Sequence, residues 1–285
     1  MKILTLNTHS LVEDNYLEKL KHFVDVIRIE QPDIIAMQEV NQSIVAPVAE
    51  TDLLVGYVPC TDNDVPVRQD NHAAQAARML RRSGLFYHWS WLPGKIGYGR
   101  YDEGMAILVL NAPVEATDSL YISHVKDYKN WKTRKILGVK ALGQWFYTVH
   151  MGWWDDVSEP FQYQWITLDN YLKNKKESSP VWLLGDFNSP AEIRRQGYDL
   201  IIDSGWHDTY RLAKEKDIGI TVEGVIDGWR EQLKSGAYLA GMRIDHIWSS
   251  EMTSIKSSKV MFNGIHGPVV SDHFGVMIET KEDSL

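Results

Sequence analysis

The chain has 285 residues, of which 44% are apolar and 24% charged, the balance of a globular protein able to bury a large core without cross-links. Thirty Lys and Arg against 38 Asp and Glu leave a formal charge of −8. That excludes coating nucleic acid through overall charge, since phosphate binding relies on cationic side chains. The single cysteine, Cys60, excludes an internal disulfide and a cysteine-based zinc cluster.

Residues 2–7 read as a short apolar strand, and nothing around them has the pattern of a signal peptide. With no run apolar enough to span a membrane, a cytoplasmic setting is expected. Asn15 and Glu18 have capping-box spacing. Leu17, Leu20, Phe23, Val24 and Ile27 then recur at helical spacing, which predicts a helix over 16–30, ended by Pro32. Residues 33–38 predict a buried strand. From 41 to 71 the pattern dissolves into a long loop region containing Pro47, Pro59 and Pro66. A helix is expected over 73–82 and strands over 85–92, 105–110, 134–142 and 144–150. Residues 159–173 predict a helix with Ser158 as its cap and Pro160 in its first turn. Residues 181–184 form a buried strand running into Gly185-Asp186-Phe187-Asn188. Residues 191–204 read as mostly helix, and the last strands are expected over 243–248, 257–262 and 273–279. Without a repeat or a linker, a single α/β domain over 1–285 is the simplest organisation.

Polar residues cluster at the strand ends: Asn7, Glu39, His150, Asp186 with Asn188, Asp245, and Asp272 with His273. Each has an ordinary explanation. Asn7 and Gly-Asp-x-Asn suit turns, Glu39 suits a solvated strand end, and Asp272-His273 suits a cap or turn. Asp245 is the exception. It lies between Ile244 and Ile247, and a buried carboxylate needs a partner.

In order, Leu6-Asn7-Thr8, Gln38-Glu39, Gly185-Asp186-Phe187-Asn188, Arg243-Ile244-Asp245-His246-Ile247 and Ser271-Asp272-His273 form a set that resembles the endonuclease/exonuclease/phosphatase superfamily. That superfamily includes pancreatic-type deoxyribonuclease and neutral sphingomyelinase. The resemblance spans residues 6 to 273 and is specific to the superfamily rather than to any substrate. It implies a four-layer αββα sandwich, with two mostly antiparallel sheets flanked by helices and the site at one rim. It also implies Glu39 as main metal ligand with Asn7 and Asp272 nearby, and Asp186 as the group that orients or deprotonates the attacking water. Asn188 and His150 would hold the phosphate, and His273 would stabilise the transition state with its ring fixed by Asp245. Where some nucleases carry a further carboxylate two residues after the first Asn, this chain has His9. The residue types suit Mg²⁺, with Mn²⁺ as a substitute, because hard cations take oxygen ligands and polarise a phosphoryl group.

Three clusters flank these motifs. In Tyr98-Gly99-Arg100-Tyr101-Asp102-Glu103-Gly104, Arg100 and Tyr101 are candidates for contacting an acidic substrate group, against a plain Gly-rich hairpin. In Gly152-Trp153-Trp154, the Trp pair is a candidate wall for a ring, although packing under a loop is the better reading for one of the two. Asp70-Asn71-His72 reads first as a helix cap. The sequence around the first two clusters resembles the bacterial metal-dependent hydrolases of the superfamily. The expected function is Mg²⁺-dependent hydrolysis of a phosphoester in a small molecule or headgroup. A nuclease or DNA-repair phosphodiesterase is the alternative, and a catalytically inactive binding module comes last because the polar set is complete. A small phosphorylated substrate is expected as partner. Nucleic acid is less favoured without a basic stripe, and no obligate protein partner is evident.

Overall fold

The computed structural model describes residues 1–61, 63–223 and 241–281. The chain opens with β1 (Lys2–Asn7), α1 (Tyr16–Glu30) and β2 (Ile34–Ser43). Both strands bury both faces, as parallel neighbours covered on two sides must. Ile3, Ile34 and Ala36 face the second sheet, while Leu4, Leu6, Ile35 and Met37 face α1. α1 answers with Leu20, Phe23, Val24 and Ile27. Fully buried Phe23 and Ile27 each contribute about 1.5–3 kcal/mol. Leu17, expected on the same face, is 70% exposed. The capping box does not form: Asn15 has left-handed backbone and its side chain makes no cap hydrogen bond.

The second strand passes the expected end at Gln38 and continues to Ser43 through an irregularity between Met37 and Val40, with Glu39 at φ 52°. The extra length takes the first three residues of the expected loop. The rest is tied down by Gln42, which donates to Pro66 O and accepts from the Arg68 and Asn71 nitrogens. Asn71 caps α2 (His72–Arg82) by accepting from Ala74 N at 3.1 Å, so the Asp70-Asn71-His72 cluster is a helix start.

β3 (Tyr87–Gly97) and β4 (Tyr101–Leu110) form a hairpin longer than expected, turning at residues 98–100. β5 (Ala116–Tyr121), whose half-exposed residues gave no apolar signal, precedes β6 (Lys135–Ala141) and β7 (Gln144–His150). α3 (Phe161–Ser178) is capped by Pro160 rather than Ser158, and leads to β8 (Val181–Asp186). The expected helix over 191–204 shrinks to α4 (Gly197–Asp203). Three short elements went unanticipated: β9 (His207–Asp208), α5 (Thr209–Leu212) and β10 (Glu215–Lys216). β11 (Asp245–Ser249), β12 (Ile255–Met261) and β13 (Gly275–Thr280) complete the described elements.

Among the described residues the strands form a seven-stranded sheet, ordered β10-β12-β13-β1-β2-β4-β3, and a six-stranded sheet, ordered β5-β6-β7-β8-β11-β9. The sheets pack face to face through Ile3, Ile107, Val139 and Phe146, with α1 and α2 outside one and α3 and α4 outside the other. This is the four-layer sandwich, and its neighbouring strands are mostly antiparallel. No helix among the described residues is long and apolar enough to cross a membrane.

Strand direction decides where chemistry can gather. β1 and β2 run parallel, as do β7 and β8, so Asn7, Glu39, His150 and Asp186 arrive at one rim. β11 and β13 run antiparallel to their neighbours, so their starts bring Asp245 and the Asp272-His273 pair to that same rim.

Candidate active site

The rim holds a cleft of about 400 Å³ lined by Glu39, His150, Asp186, Asn188, Asp272 and His273. Beneath it the two sheets are joined by a polar contact: Gln38 Nε2 donates to Thr5 Oγ1 at 3.1 Å and to Thr148 Oγ1 at 2.8 Å. Gly185 makes this approach possible. A Cβ there would strike the Val149 carbonyl and come within 2.9 Å of the Gln38 amide. Four cleft residues, His9, Glu39, Tyr98 and Asn188, hold left-handed backbone without being glycine. Each such residue costs of order 1–3 kcal/mol, which the surrounding packing must offset.

Asn7 Nδ2 bridges the half-buried carboxylate of Glu39 and the buried one of Asp186, donating to Glu39 Oε1 at 2.9 Å and to Asp186 Oδ2 at 3.2 Å. Asn188 donates to Asp186 from its backbone N at 2.8 Å and from its side chain at 3.2 Å. His273 Nδ1 lies 3.0 Å from Asp245 Oδ2, and its Nε2 lies 3.9 Å from Asp186 Oδ2. His150 Nε2 lies 3.6 Å from the same Asp186 oxygen and 4.0 Å from Glu39 Oε1. Seven of the eight predicted catalytic and metal-binding residues therefore converge on the cleft or on each other through these contacts, and Asp245 joins them through His273.

The electrostatics are divided. Burial pushes the Asp186 carboxyl upward, with Asp245 and Glu39 adding repulsion against the pull of His273. Burial and the charge of Glu103 push Glu39 upward too. Burial alone would lower His273, but the Asp245 and Asp186 carboxylates overcome it and hold the ring well above its usual value. Burial, Arg134 and Lys95 hold His150 well below the ordinary histidine range, so it is neutral.

The carboxylates exceed the fixed positive charge. Glu39, Glu103, Asp156, Glu159, Asp186 and Asp272 line the cleft with Lys95, Lys132, Arg134 and the raised histidines His9 and His273, so carboxylate oxygens are plentiful for a cation to meet. Among the described residues the neutral Asn7 amide and neutral His150 ring lie between Glu39 and Asp186. Asp245 Oδ1 is buried without a hydrogen-bond partner among the described residues. An oxygen-rich, electron-rich donor set of this kind fits a hard divalent cation. Two groups have ligand atoms within 4.8 Å of one another, His9-Glu13-Asp272 and Asp186-Asp245-His273.

The flanking candidates divide. Trp153 lines the cleft, whereas Trp154 packs against the hydrophobic clusters and is not part of the lining. Arg100 lies exposed over the Tyr101 ring at 4.8 Å, and Tyr101 is buried with its hydroxyl donating to Leu11 O. Neither lines the cleft, because the hairpin turn carries them past its edge while Tyr98 turns in. The buried cations of the cleft are instead Lys95 and Arg134, 9% and 8% exposed, with Lys132 nearer its edge. Their sequence signals were a lysine among apolar neighbours in Gly94-Lys95-Ile96 and a basic pair, Arg134-Lys135, opening an apolar strand. Trp131, 63% exposed, forms part of the wall. His9 is held by Glu13 at 2.7 Å and by the Tyr98 hydroxyl at 3.0 Å.

The sequence profile described as "Endonuclease/Exonuclease/phosphatase family" matches residues 4–273. An endonuclease/exonuclease/phosphatase family protein from Leptotrichia buccalis is 31% identical, with a TM-score of 0.83 over 99% of this chain and 100% of that one. A mannosyl-6-phosphatase from Bacteroides thetaiotaomicron shares the fold at 15% identity and a TM-score of 0.66, covering 99% and 100% of the two chains. A 3′-5′ exonuclease from Neisseria meningitidis does so at 19% identity and a TM-score of 0.63, with the same coverage. No curated protein matches the chain.

Proposed function

Because this chain belongs to the endonuclease/exonuclease/phosphatase family, and is an enzyme of the phosphoesterase class, we propose that it hydrolyses a phosphoester of a small molecule or headgroup by metal-assisted in-line attack of water. The observation that carries the small-substrate reading is the cleft itself. Its volume of about 400 Å³ is that of a small-molecule pocket, and its buried cations, Lys95 and Arg134, lie inside it rather than along an open track.

Glu39, Asn7 and Asp272 would hold the divalent ion, which would neutralise charge on the phosphoryl oxygens when bound. Asp186 is the base for the attacking water. Its buried carboxyl has raised proton affinity, and the Asn188 N–H and Asn7 amide fix its orientation. His273, protonated and oriented by Asp245, stabilises charge developing on the phosphoryl oxygens. Neutral His150 offers an N–H to the same group without adding a charge that would trap the product. Trp153 and Trp131 present apolar faces to the body of the substrate.

The test is a Mg²⁺-dependent hydrolysis screen over sugar phosphates, nucleotides, inositol phosphates, simple phosphodiesters and oligonucleotides. The reading expects turnover of small phosphoesters that EDTA abolishes. Turnover confined to oligonucleotides would overturn the small-substrate reading.

A further inference from the structure

Two arginines of this chain are buried to the same degree and treated differently. Arg243, 7% exposed, donates from Nη2 to Asp208 Oδ2 at 2.8 Å. Arg134, 8% exposed, donates only from Nη1, to the carbonyls of Trp131 at 2.8 Å and Thr133 at 3.2 Å, and its buried Nε has no partner. No carboxylate pairs with its guanidinium among the described residues. Lys95, its neighbour in the cleft, is 3.0 Å from Glu103. Burial and their mutual repulsion lower the proton affinity of Lys95, and burial lowers that of Arg134. Glu103, Asp186 and Glu39 act on the Arg134 guanidinium through space, but none pairs with it directly, so an anion in the cleft that meets its free donors would gain a charge-assisted contact.

Arg134 and Lys95 share the main cleft with the hydrolytic groups and feel their charges, but they extend to one side of them. Lys95, Glu103, Arg134 and His150 line both the main cleft and an adjoining water-sized recess of about 20 Å³, so an anion that meets Arg134 does so from the main cleft. That recess is closed by Gly94, Thr133 and Lys135, and Glu39, Asp186, Asn188, Asp272 and His273 take no part in it. His150 is thus the divider: the hydrolytic groups stand on one side and the Lys95–Arg134 cations on the other.

We propose that Arg134, with Lys95, is a recognition subsite for a second anionic group, so that the preferred substrate is a small phosphoester carrying a further phosphate or carboxylate. This rests on the phosphoesterase reading above. Glu103 offsets most of the Lys95 charge, so the guanidinium is the main determinant. Its planar donor edge suits a two-oxygen anion. Its bonds to the Trp131 and Thr133 carbonyls fix the arginine in place and tie the Trp131 wall to it.

Two pairs of probes differ by one anionic group: glycerol 2-phosphate with 2-phosphoglycerate, and fructose 6-phosphate with fructose 1,6-bisphosphate. Each is titrated as an inhibitor of Mg²⁺-dependent cleavage of p-nitrophenyl phosphate or bis-p-nitrophenyl phosphate. In the wild type the doubly anionic member binds at least about tenfold more tightly, the size of one charge-assisted hydrogen bond. In Arg134→Met that preference falls below about threefold, while Arg134→Lys, which keeps a charge but loses the fork, is intermediate. Equal inhibition within both pairs, or a preference that survives Arg134→Met, overturns the subsite. Should Arg134→Met fail to fold, Arg134→Lys and Lys95→Met carry the same ratio, and no change in either is equally fatal. If neither chromogenic ester is cleaved, the phosphoesterase reading has failed, and calorimetric affinities for the same pairs still decide the subsite.

Discussion

Asp186 on β8 and Asp208 on β9 lie in the same sheet, each one strand away from β11, and both are almost wholly buried. Burial raises the proton affinity of each, yet the two end on opposite sides of the ordinary value. Asp208 accepts from Arg243 at 2.8 Å, from the Tyr198 hydroxyl at 2.5 Å and from Tyr210 N at 2.9 Å, and its carboxyl is held down. Among the described residues, the Asp186 carboxylate accepts from the Asn7 and Asn188 side chains and Asn188 N, with the two histidines at 3.6 and 3.9 Å, and it is pushed up. Both are well hydrogen-bonded, so the presence of a fixed cation makes the difference. One cluster is electrostatically closed and serves the fold. The other keeps negative charge in excess and gains from a cation that arrives with the reaction.

The comparison breaks most visibly if the closed cluster is opened. Arg243→Met leaves Asp208 buried without its counter-ion and removes the donor to His246 Nδ1. Urea denaturation should show a loss of about 3–5 kcal/mol, the cost of orphaning one member of a buried pair. A loss below ~1 kcal/mol would mean that the pair does not distinguish the clusters.

Opening the other cluster should do the reverse. Asp186→Asn removes an uncompensated carboxylate, so stability measured in EDTA should hold or rise. Turnover should fall by at least two orders of magnitude, about 3 kcal/mol in the barrier, and His273→Ala should cost as much. A variant that loses stability and keeps kcat would assign Asp186 to the fold.

The same division explains what the sequence made legible. The chemistry-bearing residues at strand ends were readable because apolar runs stop where β1, β7 and β8 reach the rim, and motif order did the rest. The sandwich was readable through the family resemblance that the ordered motifs carry, while the apolar runs of β1, β2, β4 and β8 gave only buried strands of an α/β domain. Glu39 was misread as a strand end. Its left-handed backbone lets β2 resume beyond it, and no composition signal marks a bulge at a glutamate. Arg100 was a candidate because of its Gly-rich turn, and Arg134 was not singled out at all. Whether an arginine beside a strand faces water or a cleft depends on the opposing sheet, which is distant in sequence. The short elements β9, α5 and β10 were invisible because two to four residues carry no periodicity.

A third measurement adds a divalent cation directly. Mg²⁺ at about 100 times its dissociation constant should stabilise the wild type by about 2.7 kcal/mol, since it binds the folded rim and not the open chain. Glu39→Gln should weaken the calorimetric Mg²⁺ isotherm and shrink that gain, whereas Asp208→Asn should leave the isotherm as it was. An unchanged isotherm in Glu39→Gln would remove Glu39 from the ligands.

The smallest effect, and the one that separates the clusters by sign, is the pH dependence of stability in EDTA. Asp208 has a depressed folded-state pKa, so its contribution is fully present above the unfolded value of about 3.9 and is lost as pH falls through the folded value. The gap between wild type and the less stable Asp208→Asn should therefore hold down to pH ~4 and narrow only below it. Asp186 has a raised folded-state pKa, so its ionised carboxyl penalises the fold above that value. The penalty is relieved as pH falls, and it is gone below about 3.9, where the unfolded chain is protonated as well. Asp186→Asn should thus exceed the wild type in stability at neutral pH, with the advantage vanishing before pH ~4, entirely above the window in which Asp208 titrates. Guanidinium melts of the three proteins between pH 3 and 8 would show two gaps of opposite sign closing in different ranges. If both close in the same range, or both have the same sign, the two aspartates do not differ in the way their partners require.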